Sequence, residues 1–162
     1  MAIHKLYFDE FDEIDYHLIA IHTTLEDYRL AYLINQNLLI NLSKSKNEIQ
    51  INIKEGETKF SRFYYYAVEK AISWNLIQNK NEVIQQKKDN SQNLFSNLTL
   101  EVSTKVYLLP EFKKVDYFLK IENLDETMDV IKILADLNTI DTISAIYTVE
   151  TNKIKSKNNL IF

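Results

Sequence analysis

Cysteine is absent from this 162-residue chain, and glycine, proline and tryptophan occur once each. Without cysteine there is no disulfide framework, no thiolate nucleophile and no cysteine-ligated metal. With Gly56 as the lone glycine, a P-loop, a dinucleotide fingerprint and a glycine-bounded nucleophile elbow are all excluded. The same shortage argues against an amino-acid-sensing regulatory domain, because loops that bring backbone close to an anionic ligand use glycine. No stretch approaches the roughly 18 apolar residues of a membrane span. The opening MAIHKLYFDEFDEIDY has no basic start followed by an apolar run, so a cytoplasmic protein is expected. The body of the chain lacks a broad basic field, so duplex DNA is not an expected partner.

Hydrophobic residues make up 46% of the sequence, enough for the core of one domain. Charge is uneven along it. Residues 1–15 set Lys5 against Asp9, Glu10, Asp12, Glu13 and Asp15, which carries the whole net −4 of the chain. Residues 151–162 hold Lys153, Lys155 and Lys157 and no acid. A single domain over 1–150 is expected, followed by a basic C-terminal tail, 151–162, that frays.

Periodicity organises the rest. IHKLYF (3–8) reads as a short strand and residues 9–15 as an acidic connector. Residues 16–22 (YHLIAIH) are apolar on both faces, the pattern of a buried central strand. Thr23 and Glu26 fit a capping box for a helix over 24–36. Residues 38–44 read as a strand, and EIQINIKEGETKFSRFYYYA as a hairpin turning at Gly56. A turn at VEKAI leads to a strand over 73–79. The polar run 80–97 reads as a flexible loop and 98–109 as an alternating strand. Pro110 ends that strand, Glu-Phe-Lys-Lys turns the chain, and 115–122 returns as its partner. A helix over 125–137 and a strand over 141–150 complete the domain. Asp, Tyr and Leu recur between Ile14–Leu18 and Val115–Leu119, each opening a strand–helix–strand unit. The expected class is α+β: a largely antiparallel sheet with two helices, two β-α-β-like units flanking a β-meander.

The run Leu109-Pro110-Glu111, then three residues, then Val115-Asp116-Tyr117 resembles the motif that names the IPExxxVDY family, small bacterial proteins of the Bacteroidota. Leu109 stands where the name has Ile. Tyr107-Leu108, Phe118-Leu119-Lys120-Ile121, Asp15-Tyr16, Thr23 to Arg29, Ser73-Trp74 and Asn79-Lys80 fit the same resemblance. The resemblance runs through most of the chain and implies no reaction.

Two surfaces are candidates for contact. Pro110, Glu111, Lys113, Lys114, Asp116 and Tyr117 gather at one turn. This cluster reads as a docking epitope on a rigid scaffold, as an acid and a lysine available for chemistry, or as a charged hairpin only. Tyr64 and Tyr66 belong to Phe63-Tyr64-Tyr65-Tyr66, which puts aromatics on both faces of one strand. One face must meet the core; the other suits a protein partner or stacked bases. His4, His17 and His22 are the only histidines, and the last two face opposite sides of a strand, so they do not share a metal. The acidic connector lacks calcium-loop spacing and its glycine. No metal, no cofactor and no catalytic residue are expected. The expected role is a non-enzymatic interaction or assembly module for a protein or ribonucleoprotein, compatible with homo-oligomers. A small-ligand-binding regulatory domain is the alternative, and an enzyme the third reading.

Overall fold

The structure is a computed structural model and describes residues 15–88 and 99–162. The strand read at 3–8, most of the acidic connector, His4 and the second half of the polar run lie outside the described residues. No helix among those described is long and apolar enough to cross a membrane.

Among the described residues ten strands and two α-helices follow one another. They are β1 (Tyr16–Thr23), α1 (Asp27–Leu38), β2 (Ser43–Lys44), β3 (Ile49–Ile53), β4 (Gly56–Phe60), β5 (Arg62–Ala67) and β6 (Ile72–Gln78). β7 (Lys80–Lys88), β8 (Thr99–Tyr107), β9 (Tyr117–Glu122), α2 (Val130–Asn138) and β10 (Ile143–Thr148) complete the series. Six strands form one antiparallel sheet in the order β10-β1-β9-β6-β5-β2, while β3-β4 and β7-β8 are separate two-stranded sheets. β9 and β10 both run antiparallel to β1 and flank it. The β9-α2-β10 crossover therefore joins two parallel strands with β1 between them. The expected α+β class, largely antiparallel with two helices, is what the chain adopts.

Both faces of the sheet are covered. On one, Leu30, Ala31 and Ile34 of α1 and Ile133 and Leu137 of α2 pack on Ile19, Ile21, Trp74, Leu76, Leu119 and Ile121. On the other, Leu18, Ala20, Ile77 and Phe118 lie under the β3-β4 hairpin, Val106 to Val115 and the C-terminal segment. This double cover is why β1 reads apolar on both faces.

Four expectations about the strands and the first helix are corrected. β9 does not return onto 98–109; it lies between β1 and β6, and β8 pairs with β7. Residues 80–88, read as loop, are β7, since a ladder solvated on one side needs backbone partners rather than apolar side chains. β7 is tied to the neighbouring hairpin by side-chain amides: Asn81 donates to the Lys59 carbonyl and Gln85 to the Glu55 carbonyl. The strand read at 38–44 shrinks to two residues. α1 runs through Leu38, Leu39 closes it in the left-handed region (φ 53°), and Asn35 clasps the Leu42 backbone. In a chain this poor in glycine, Leu39 takes the cap position that glycine usually fills. The capping box is not formed either. Thr23 ends β1, its hydroxyl donating to the Thr142 carbonyl and accepting from Leu25 N–H, and Glu26 caps α1 with backbone alone.

The tail does not fray. Ile154 and Leu160 are buried in the second core, and Asn159 donates to the Leu108 carbonyl. By contrast Gly56 sits at the β3-β4 turn with φ 130°, as its conformational freedom predicts.

Candidate functional site

The turn from Leu109 to Tyr117 is built around one side chain that the sequence reading did not single out. Asn79 follows β6 and is 0% exposed. Its Oδ1 accepts from Leu109 N–H at 2.9 Å, and its Nδ2 donates to the Phe112 and Val115 carbonyls at 2.9 and 2.7 Å. Its backbone N–H donates to the Asp116 carbonyl and its carbonyl accepts from Leu108 N–H. Every polar group of Asn79 thus fixes the same loop. Pro110 opens a short 3-10 turn, Pro110–Phe112, where its missing N–H costs nothing.

Three of the candidate residues turn inward onto the protein's own backbone. Glu111 Oε1 accepts from Lys155 and Ser156 N–H at 2.8 Å each, and Oε2 accepts from the Ser156 hydroxyl. Partial burial pushes the Glu111 carboxyl up. The N–H groups of Ser156, Glu111 itself and Lys155, with the Ser156 hydroxyl, outweigh it and hold the carboxyl below its ordinary value. Asp116 Oδ2 accepts from Thr23 N–H, and Oδ1 pairs with Lys80 Nζ at 2.8 Å. Tyr117 donates its hydroxyl to the Leu25 carbonyl at 2.8 Å, tying β9 to the start of α1.

Glu111 carries a prediction. Its lowered value in the folded state means that its stabilisation is present above the ordinary carboxylate range and is lost as pH falls through the folded value. Glu111→Gln keeps an acceptor but loses the charge, so it should cost about 1 kcal/mol at neutral pH. The gap from wild type should close on acidification. Urea unfolding at pH 7 and pH 3 measures both, and a gap that is equal at the two values would contradict the assignment.

What remains outward at the turn is Pro110, Lys113 and Lys114, all exposed. Lys113 Nζ lies 5.9 Å from the centre of the Tyr107 ring. A shallow groove of about 480 Å³ beside it is lined by Lys80, Lys105, Tyr107, Gln78, Asn81 and Glu82.

Tyr64 and Tyr66 form a separate surface on β5, 36% and 42% exposed. Their neighbours on the strand, Phe63 and Tyr65, pack toward the helices. Arg62 lies 5.1 Å from the Tyr64 ring centre and 4.5 Å from that of Phe162, and its Nε donates to Asn75. Lys120, buried on β9, donates to the Leu160 carbonyl and pairs with Glu122. Its ammonium also stands 4.9 Å from the Phe162 ring centre. Asn75 and Lys120 were invisible as site members, because only the sheet register sets them in one row with Tyr64. The structure brings the six turn residues together and leaves the two tyrosines apart from them.

His22 Nε2 lies 3.1 Å from the Tyr147 hydroxyl, and His17 is exposed. Among the described residues no group of three or more His, Asp or Glu side chains is placed to hold a metal ion. Comparison of the chain with protein-family models, curated proteins and solved structures returns no match.

Proposed function

We propose that this chain is a cytosolic, non-enzymatic interaction module whose rigid turn, Pro110–Lys114, docks a protein partner, free or within a ribonucleoprotein. One observation carries the reading. Glu111, Asp116 and Tyr117 are committed to internal bonds, while Pro110, Lys113 and Lys114 point to solvent from a loop with little backbone freedom left. A pre-organised loop binds without an ordering penalty. The two lysines suit a partner surface bearing carboxylates or phosphates. The resemblance to the IPExxxVDY family belongs to the same proposal and adds no reaction to it.

The test is capture of the partner from native cytosol with and without nuclease, using wild type, Lys113→Glu/Lys114→Glu and Tyr64→Ala/Tyr66→Ala. The lysine pair should weaken capture at least tenfold at low salt without lowering Tm, about 1.4 kcal/mol or more. Unchanged capture by the lysine variant would sink the turn as the contact. Loss on nuclease treatment would assign the contact to nucleic acid. The groove beside Tyr107 favours one second reading, a regulatory domain for a small anionic ligand. That reading requires a saturable thermal shift with an anionic metabolite, reduced by Lys105→Ala.

A further inference from the structure

The helix layer is open at the end where α1 finishes. Leu38 and Ile40 flank the end of the helix, the β5-β6 turn approaches from the sheet, and Met128 precedes α2. Between them lies a cavity of about 470 Å³, the size of a small-ligand site. Ile72 and Trp74, both buried in the first core, belong to its lining. Tyr65 stands directly opposite Trp74 on the helix side of the sheet and lines it as well.

The rim holds features that the fold alone does not repay. Leu39 and Ala71 both have left-handed backbone at φ 53°, which costs any residue but glycine. Leu39 is 90% exposed, and Val68, also of the lining, is 79% exposed. Asn123, another left-handed residue, donates to the Ala71 carbonyl. Backbone strain and bare apolar side chains thus meet at one opening, the pattern of a binding rim.

Electrostatics give the sign of the ligand. α1 ends at the cavity with no basic residue in its last turn, so the negative end of its dipole is left uncompensated there. Glu69 and Lys70 are the charged residues of the lining. Lys70 has a neighbouring acid outside that lining. The Thr127 hydroxyl and N–H hold the Asp125 carboxyl below its ordinary value against desolvation, and the charge of Lys70 adds to them. Glu69 enters no ion pair among the described residues.

We propose that this cavity binds an organic ammonium, a small molecule with its positive charge on an apolar body. Ile72, Trp74 and Tyr65 receive the body, and aromatic faces attract a cation set against them. Glu69 and the carbonyl end of α1 pair the charge. A carboxylate would meet the same carbonyls and Glu69 and gain Lys70 alone. β6 runs from Ile72 at the cavity toward Asn79, which holds the Pro110–Lys114 turn, so the two sites lie at opposite ends of one strand. The two proposals therefore stand or fall separately.

Trp74 is the only tryptophan, so the fluorescence of the full chain reports on the cavity. Choline and benzyltrimethylammonium are the probes. At least one should change the emission saturably, with Lys113→Glu/Lys114→Glu responding as wild type does. Neohexyl alcohol, the uncharged carbon isostere of choline, should bind about tenfold more weakly than choline. Glu69→Gln, at an exposed turn position, should weaken the ammonium probes about tenfold with the circular dichroism unchanged. Leu39→Gly relieves the left-handed backbone and removes a rim side chain, so it should raise Tm while weakening the same probes. No saturable response to either probe up to about 10 mM overturns the proposal. So does an isostere that binds as tightly as choline, or full affinity in both Glu69→Gln and Leu39→Gly. Isovalerate binding more tightly than the ammonium probes would give the cavity to carboxylates and overturn it equally.

Discussion

Asn79→Ala is expected to cost about 4 kcal/mol of folding stability, a large share of the roughly 5–15 kcal/mol that holds a domain of this size. Truncation strands the Leu109 N–H and the Val115 carbonyl inside the protein, while the Phe112 carbonyl keeps only the Val115 N–H. Each buried group left unpaired costs about 1–3 kcal/mol, and the two are coupled through one loop. The Leu108-Leu109 and Val115 side chains that the loop seats in the second core lose their position as well. Asn79→Asp is the sharper variant. It keeps the shape and the acceptor for Leu109, loses the donor to both carbonyls and sets a carboxylate against them, so it should be no more stable than the alanine. Urea unfolding reads both. A loss below about 1 kcal/mol in either would mean that the loop is held by something other than this side chain.

The second large effect appears in alkali. Tyr117 is 8% exposed. Burial, with the negative charges of Asp27, Asp116 and Glu26 nearby, pushes its hydroxyl up to about 12. In the unfolded chain the same group ionises near pH 10. Its contribution is therefore complete below about pH 10 and is lost as pH rises toward 12, with a total of about 2 kcal/mol. Tyr117→Phe should abolish that slope. At pH 7 it should lose about 1 kcal/mol, because the Leu25 carbonyl forfeits its donor. Denaturant midpoints of both proteins from pH 8 to 12 give the difference, free of the lysines that titrate in each. Parallel curves would show that Tyr117 ionises as readily folded as unfolded.

Much of the architecture was legible, and the reasons are physical. β1, β6 and β9 are central strands with apolar side chains toward two cores, so they read as continuous apolar runs. α2 shows its stripe of Ile133 and Leu137, though Asp129 delays its start to Val130. β7 was illegible because its residues pair through backbone while presenting Lys, Asn, Glu and Gln. Pairing was harder to read than existence. Adjacency suggested β8 with β9, yet Asp116 N–H bonds to the Ile21 carbonyl and carries β9 into the middle of the sheet. For the site, the sequence located the turn and could not orient it. An Asp116 that bonds to Thr23 and one that faces a partner look the same in one dimension. Asn79 was read as the last residue of the 73–79 strand, where a sequence does not tell an asparagine turned into the core from one turned to solvent.

The sheet order also bears on how the chain is made. β1 is synthesised well before its two neighbours in the sheet, β9 and β10. At about 5–20 residues per second, Leu18 to Ile21 wait roughly 5–25 s for the strands that enclose them. α1 can form in that time but has no finished sheet to lie on. Those residues stay without their neighbouring strands until Glu122 emerges, and slower translation of the middle third lengthens the interval. A segment fully enclosed in the finished protein is thus exposed for much of its synthesis.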